Sequence, residues 1–172
     1  MRKRLSVFFL LLMVGLVLIG PHPYLELHDF HRQKLLGVVP LQIQDQFQIE
    51  WIHSVELTPW RETYKVAGFS GMELAATSFQ SYGAGVPVHF QDQQGVQVKV
   101  QDGWITVTGL HEKRDQVLYL ITRDDYLLRA GGRTWKLADV VPLGSSLGLS
   151  VGWYPWWYRF AAGLNERGVT QG

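Results

Sequence analysis

Cysteine is absent from the 172 residues, which excludes disulfide staples, thiolate zinc sites, a cysteine nucleophile and a lipid-modified N-terminal cysteine in one step. Charge is also scarce. Lys, Arg, Asp and Glu make up 18% of the chain and the formal net charge is +1, so no basic field exists to hold nucleic acid. Low charge combined with 47% hydrophobic residues equally excludes a disordered chain. No nucleophile elbow, HExxH helix, phosphate-binding glycine loop, internal repeat or low-complexity linker is found. What the chain does have is aromatics: seven Trp, seven Tyr and eight Phe, residues that suit strands and membrane interfaces.

The N-terminus speaks of location. Arg2, Lys3 and Arg4 precede a run of 16 uncharged residues, Leu5 to Gly20, the length of a signal-peptide core or a short membrane span. Leu18 fits a cleavage site poorly, and Pro21 to Leu25 would extend the run toward spanning length. The expectation is an uncleaved anchor over 1–25, followed by a His-bearing juxtamembrane segment over 26–40. The positive-inside rule then keeps the basic cluster cytoplasmic and sends the rest outward, as a single-pass protein of the inner membrane with a periplasmic domain. Without those three cations, 13 basic side chains face 15 acidic ones, so the basic excess belongs to topology.

Beyond residue 40 the periodicity is that of strands. Leu41, Ile43, Phe47, Ile49 and Trp51 alternate with glutamines and Glu50, with a break expected near Asp45. Asp102-Gly103 between alternating segments predicts a tight hairpin that sets Val100 against Ile105 and Val98 against Val107. Gly131-Gly132 predicts another, opposing Leu128 to Trp135. Val117 to Ile121 is apolar on both faces and reads as a central strand. Leu143 to Gly152 can make a last strand. The fold expected is all-β, an antiparallel sandwich or small barrel of about seven to nine strands over 41–152.

A third hairpin carries the candidate site. If Glu56-Leu57-Thr58-Pro59 forms its loop, Ile49 faces Val66, Trp51 faces Tyr64 and His53 faces Glu62 on the inward side. Such a His–Glu pair is a general acid/base couple, half of a metal site, or a mutually satisfied structural pair; the residues alone leave these open. Trp51, Trp60 and Tyr64 line it, and Ser54 and Glu56 lie on the other face or in the loop. Ser54 is a poor nucleophile candidate, because neighbouring strand positions project to opposite faces. A second segment, Tyr82-Gly83-Ala84-Gly85-Val86-Pro87, implies a turn that presents backbone N–H groups or simply joins two strands.

The string W-I-H-S-V-E-L-T-P-W-R-E-T-Y followed by F-Q-S-Y-G-A-G-V-P resembles the prokaryotic family of domain of unknown function 1850, over roughly Leu41 to Gly152. The resemblance implies no activity. It implies company with TRAP (tripartite ATP-independent periplasmic) permeases of the TAXI subtype, hence an accessory role in solute uptake by contact with the permease or its solute-binding protein. No cofactor or nucleic acid is expected. A stand-alone carrier of a small ligand or metal is the alternative, and a hydrolase using the His–Glu couple a weaker one. Finally, the tail 153–172 opens with Trp153, Tyr154, Trp156, Trp157, Tyr158 and Phe160, expected to contact the membrane or a partner, or to fold back over the domain.

Overall fold

The computed structural model describes residues 6–9, 13, 15, 20–81 and 95–163. Its strands are β1 (Pro21–Asp29), β2 (Lys34–Pro40), β3 (Gln46–Ile52), β4 (Pro59–Val66), β5 (Met72–Phe79), β6 (Gln97–Gln101), β7 (Trp104–Arg114), β8 (Gln116–Ile121), β9 (Leu127–Ala130), β10 (Arg133–Lys136) and β11 (Ser145–Pro155), followed by a short helix α1 (Tyr158–Ala162). They form two antiparallel sheets, one ordered β2-β1-β11-β8 and one ordered β10-β9-β3-β4-β5-β7-β6. Neither closes into a barrel. The all-β expectation stands, with more strands than the alternation suggested.

Alternation on the facing sides explains the packing. Leu25 and Leu27 of β1, Leu147 and Leu149 of β11, and Ile121 of β8 meet Phe47 and Ile49 of β3, Tyr64 and Val66 of β4, and Leu128 of β9 in one buried cluster. A smaller cluster of Phe79, Ile105 and Val107 lies farther along the seven-stranded sheet, backed by Trp60, Val96 and Val98. Apolar burial of this kind contributes roughly 25 cal/mol per Å2.

Both glycine-containing hairpins have the expected register: Val100↔Ile105, Val98↔Val107 and Leu128↔Trp135. The break at Asp45 is real, since its carboxylate caps the Gln42 N–H at 2.8 Å in a turn before β3. Three features differ from expectation. Residues 21–40 form β1 and β2, and β1 lies inside the four-stranded sheet, so the sheet domain begins at Pro21. Two prolines and two histidines in β1 concealed a strand whose ladder partners come from the far end of the chain. Next, β8 is an edge strand, with Leu118 50% and Leu120 53% exposed. Its outward leucines made it look buried on both sides. The third difference, the β3–β4 register, shapes the candidate site.

Of the N-terminal run, residues 6–9, 13 and 15 are helical, and Val7, Phe8, Phe9 and Met13 stand exposed. Among the described residues no helix is long and apolar enough to cross a membrane, and most of the run lies outside them.

Candidate functional site

β3 and β4 pair as Phe47↔Tyr64, Ile49↔Glu62, Trp51↔Trp60 and Ile52↔Pro59. The expected register is therefore wrong by four residues. His53 and Glu62 are not partners, and Pro59 opens β4 instead of closing the loop. An even slip keeps every side chain on its face, so alternation cannot detect it. Charge gave no help either: Glu50 would meet Lys65 in one register and meets Arg61 in the other, an ion pair both times. The aromatic rungs decide. Phe47 stacks on Tyr64 with centroids 5.3 Å apart, and Trp51 on Trp60 at 6.3 Å.

The loop therefore spans Ser54 to Leu57. The His53 N–H donates to the Thr58 carbonyl at 2.9 Å, and the Leu57 N–H donates to the His53 carbonyl, also at 2.9 Å. His53 Nδ1 accepts the Glu56 N–H at 3.3 Å, which fixes the ring as a loop brace. Its imidazole stacks on Trp60 at 5.3 Å, and Trp60 stacks in turn on Phe79 at 5.0 Å. Trp51 continues the ladder to Tyr126 at 6.0 Å and Tyr119 at 5.7 Å. Rigid aromatics thus back a tip whose own side chains point outward: Val55 is 65% and Leu57 67% exposed. Leu57 holds φ at +54°, a left-handed conformation that costs a bulky residue about 1–2 kcal/mol. Glu56 accepts the Ser81 hydroxyl at 3.3 Å, linking the tip to the end of β5.

Glu62 belongs to a different group. It lies on the inward face of β4, where its Oε2 accepts the Tyr64 hydroxyl at 2.8 Å and that of Tyr119. The two hydroxyls are 3.1 Å apart. Burial, then the Glu62 charge, pushes both phenols well above their ordinary range. Thr77, opposite Glu62 on β5, and Trp60, two residues before it, have a buried Oγ1 and Nε1 without hydrogen-bond partners. This polar knot crosses from one sheet to the other through Tyr119 of β8. Sequence reading missed Tyr119, because a strand–strand contact between sheets leaves no local trace.

On the outer face, Glu50 receives Arg61 at 2.7 Å and Arg129 at 2.9 Å, while Arg61 lies 4.3 Å over the Trp104 ring. Partial burial would push the Glu50 carboxyl up, but the two guanidinium groups outweigh it and hold it below the usual carboxylate range. A cleft of about 600 Å3 opens at the far end of β3, lined by His22, Gln42, Asp45, Gln46, Trp156 and Arg159 among others.

A family described as Domain of unknown function (DUF1850) matches residues 47–137. The chain belongs to this family. No curated protein and no solved structure matches it. The DUF1850 segment runs from β3 to β10, so it holds nearly all of the seven-stranded sheet, the hairpin and β8, while β1, β2 and β11 are supplied from outside.

The structure thus gathers His53, Trp60 and Trp51 into one ladder and sets Glu62 with Tyr64 apart from His53. Ser54 and Glu56 sit in the loop. Tyr82, Gly83 and Gly85 lie outside the described residues. Among the described residues no group of three His, Asp or Glu could hold a metal ion. In the aromatic tail, Trp153 packs against the core and the Tyr154 hydroxyl donates to Glu26, so both serve the fold. Tyr158 stacks on Tyr154 at 4.1 Å, and Trp156 lines the cleft. Trp157, half exposed, and Phe160 face outward.

Proposed function

We propose that this DUF1850 protein is a membrane-anchored, extracytoplasmic accessory module of a TRAP-type solute-uptake transporter, working by protein–protein contact through its β3–β4 hairpin. The observation that carries the contact reading is the tip: two exposed apolar side chains, one in a strained backbone conformation, on a rigid stack of His53, Trp60, Trp51 and Phe79. Backbone strain held in place by its surroundings marks functional surfaces, and a preorganised apolar anchor lowers the entropy lost on binding. The placement outside the cytoplasm rests on the basic residues before the uncharged run, and the transporter on the family resemblance. The contact reading is favoured over a His–Glu couple because His53 Nδ1 accepts a backbone N–H and Glu62 is held by two tyrosines.

The test is co-purification from gently solubilised native membranes. Wild type should bring down a permease or solute-binding protein near stoichiometry, and Val55→Asp with Leu57→Asp should lose it while unfolding no more readily than wild type. A wild-type protein that emerges alone refutes the transporter reading. Undiminished capture by the double variant refutes the hairpin as the contact.

A further inference from the structure

Helix α1 stands beside the point where the uncharged N-terminal run enters the fold. Register sets Pro21 opposite Pro155 at the end of the β1–β11 ladder, two residues from Trp157. The helix is firmly tied down. The Tyr24 hydroxyl donates to the carbonyls of Pro155 at 3.1 Å and Trp156 at 2.7 Å, Tyr24 packs edge-on to Tyr158 at 6.0 Å, and Gly163 bridges to Val38. Despite these ties, Phe160 is 74% exposed and Trp157 50%, with Ala161 also exposed. Arg159 lies 5.2 Å over Trp156 and 5.0 Å over Phe160.

An ordered helix that leaves Phe160, and Trp157 just before it, largely in water forgoes the burial that apolar side chains favour. The run that enters at Pro21 shows the same character, with Val7, Phe8, Phe9 and Met13 exposed. In the chain, two exposed apolar stretches therefore flank the β1–β11 ladder, one before Pro21 and one after Pro155. Trp and Phe beside an Arg are the residues that settle at the boundary between headgroups and acyl chains, the cation toward phosphate.

We infer that Trp157, Phe160 and Arg159 form a lipid-facing seat, α1 resting in the interface of the bilayer that holds the N-terminal run. The inference builds on the membrane-anchored reading above and gives it an orientation. Gln46, the first residue of β3, lines the same cleft as Trp156 and Arg159. From there β3 runs to the hairpin at about 3.3 Å per residue, so the tip lies at the opposite end of a strand roughly 20 Å long. The tip would then meet a partner's extramembrane part.

The lack of cysteine makes the test clean. Nitroxide labels at Ala161→Cys and, separately, Val55→Cys report accessibility to oxygen and to an aqueous nickel chelate in the full chain reconstituted into phosphatidylcholine vesicles, with and without phosphatidylglycerol. The oxygen-to-nickel ratio at position 161 should exceed that at 55 several-fold and rise further with phosphatidylglycerol. Adding Trp157→Ser and Phe160→Ser to the Ala161→Cys background should bring it down toward the tip value. A vesicle-bound protein whose label at 161 is as open to nickel as the one at 55 overturns the seat alone. Protection at 161 that appears only with native membrane proteins, and never with pure lipid, also overturns it, in favour of a protein occupant. A chain that fails to float with vesicles overturns the seat and the anchor together.

Discussion

Replacing Tyr119 by Phe isolates the polar knot between the sheets, because it deletes one hydroxyl and leaves the ring packed against Trp51. In the wild type that hydroxyl donates to Glu62 Oε2 and lies 3.1 Å from the Tyr64 hydroxyl. Loss of a hydrogen bond to a charged acceptor costs about 1.5–3 kcal/mol, and Glu62 keeps Tyr64 as a donor, so the lower half of that range is expected. The pH dependence supplies a second readout. Tyr119 is held neutral well above its ordinary range, chiefly by burial and then by the Glu62 charge. A folded pKa raised above the unfolded one means the contribution is fully present below about pH 10 and fades as pH rises through the folded value. Above about pH 10 the unfolded chain has released this proton and the folded chain has not, so stability falls by about 1.4 kcal/mol per pH unit from this one phenol. Tyr119→Phe should flatten the alkaline slope by about that amount while lowering stability near neutrality. Urea titrations followed by tryptophan fluorescence, at neutral pH and at steps above pH 10, measure both. A variant as stable as wild type near neutrality, with an unchanged alkaline slope, would show that the hydroxyl is not bonded inside the fold.

Leu57→Asn should stabilise the fold by up to about 1 kcal/mol, since Asn tolerates the left-handed backbone at that position, yet weaken partner capture; a loss of stability would remove the strain argument. Glu50→Gln should cost about 1 kcal/mol at neutral pH, and the cost should vanish on acidification. The Glu50 carboxyl is held below its unfolded value, so its contribution is present above the unfolded carboxylate range and lost as pH falls through the folded one. A pH-independent difference between the two proteins in acid unfolding curves would refute that assignment.

Legibility in the sequence followed the range of the interactions. Asp102-Gly103 and Gly131-Gly132 carry their geometry in two residues, and their registers read correctly. The hairpin at 53–58 has no such turn pair. Its register depends on which aromatic stacks on which, and Trp51 had two acceptable partners, Tyr64 and Trp60. β1 stayed hidden for a related reason. Its strand character comes from pairing with β11, more than a hundred residues away, and nothing local in Pro-His-Pro-Tyr-Leu-Glu-Leu announces it. Alternation places Glu62 on the inward face, but the partner it suggests, His53, is not the one the structure gives. The partners themselves, Tyr64 beside it and Tyr119 across the core, were assigned only once the sheets faced one another.

The division between the DUF1850 segment and its flanks bears on how the two proposed surfaces relate. Residues 47–137 hold the hairpin, the aromatic ladder and the Glu62 knot. The flanks hold β1, β2, β11 and α1, together with the exposed apolar corner. β1 and β11 pair along nine residues, so the entry and exit of the chain are bound to each other before either reaches the family segment. Segment and flanks meet along the β8–β11 ladder and in the main buried cluster, where Leu25, Leu27, Leu147 and Leu149 lie against Phe47, Ile49 and Tyr64. A load applied at the Pro21–Pro155 corner therefore reaches the hairpin through packed side chains, alongside the β8–β11 ladder and the two chain connections at 41–45 and 137–144. Loosening that layer should weaken the coupling of the tip to the corner. Leu149→Ala, expected to cost about 2–5 kcal/mol as a buried deletion, is the substitution that tests it. Restraint of the tip label by vesicle attachment should then weaken while both ends keep their own surfaces. If the restraint persists in a variant that has lost that much stability, the two ends are coupled by something other than the core.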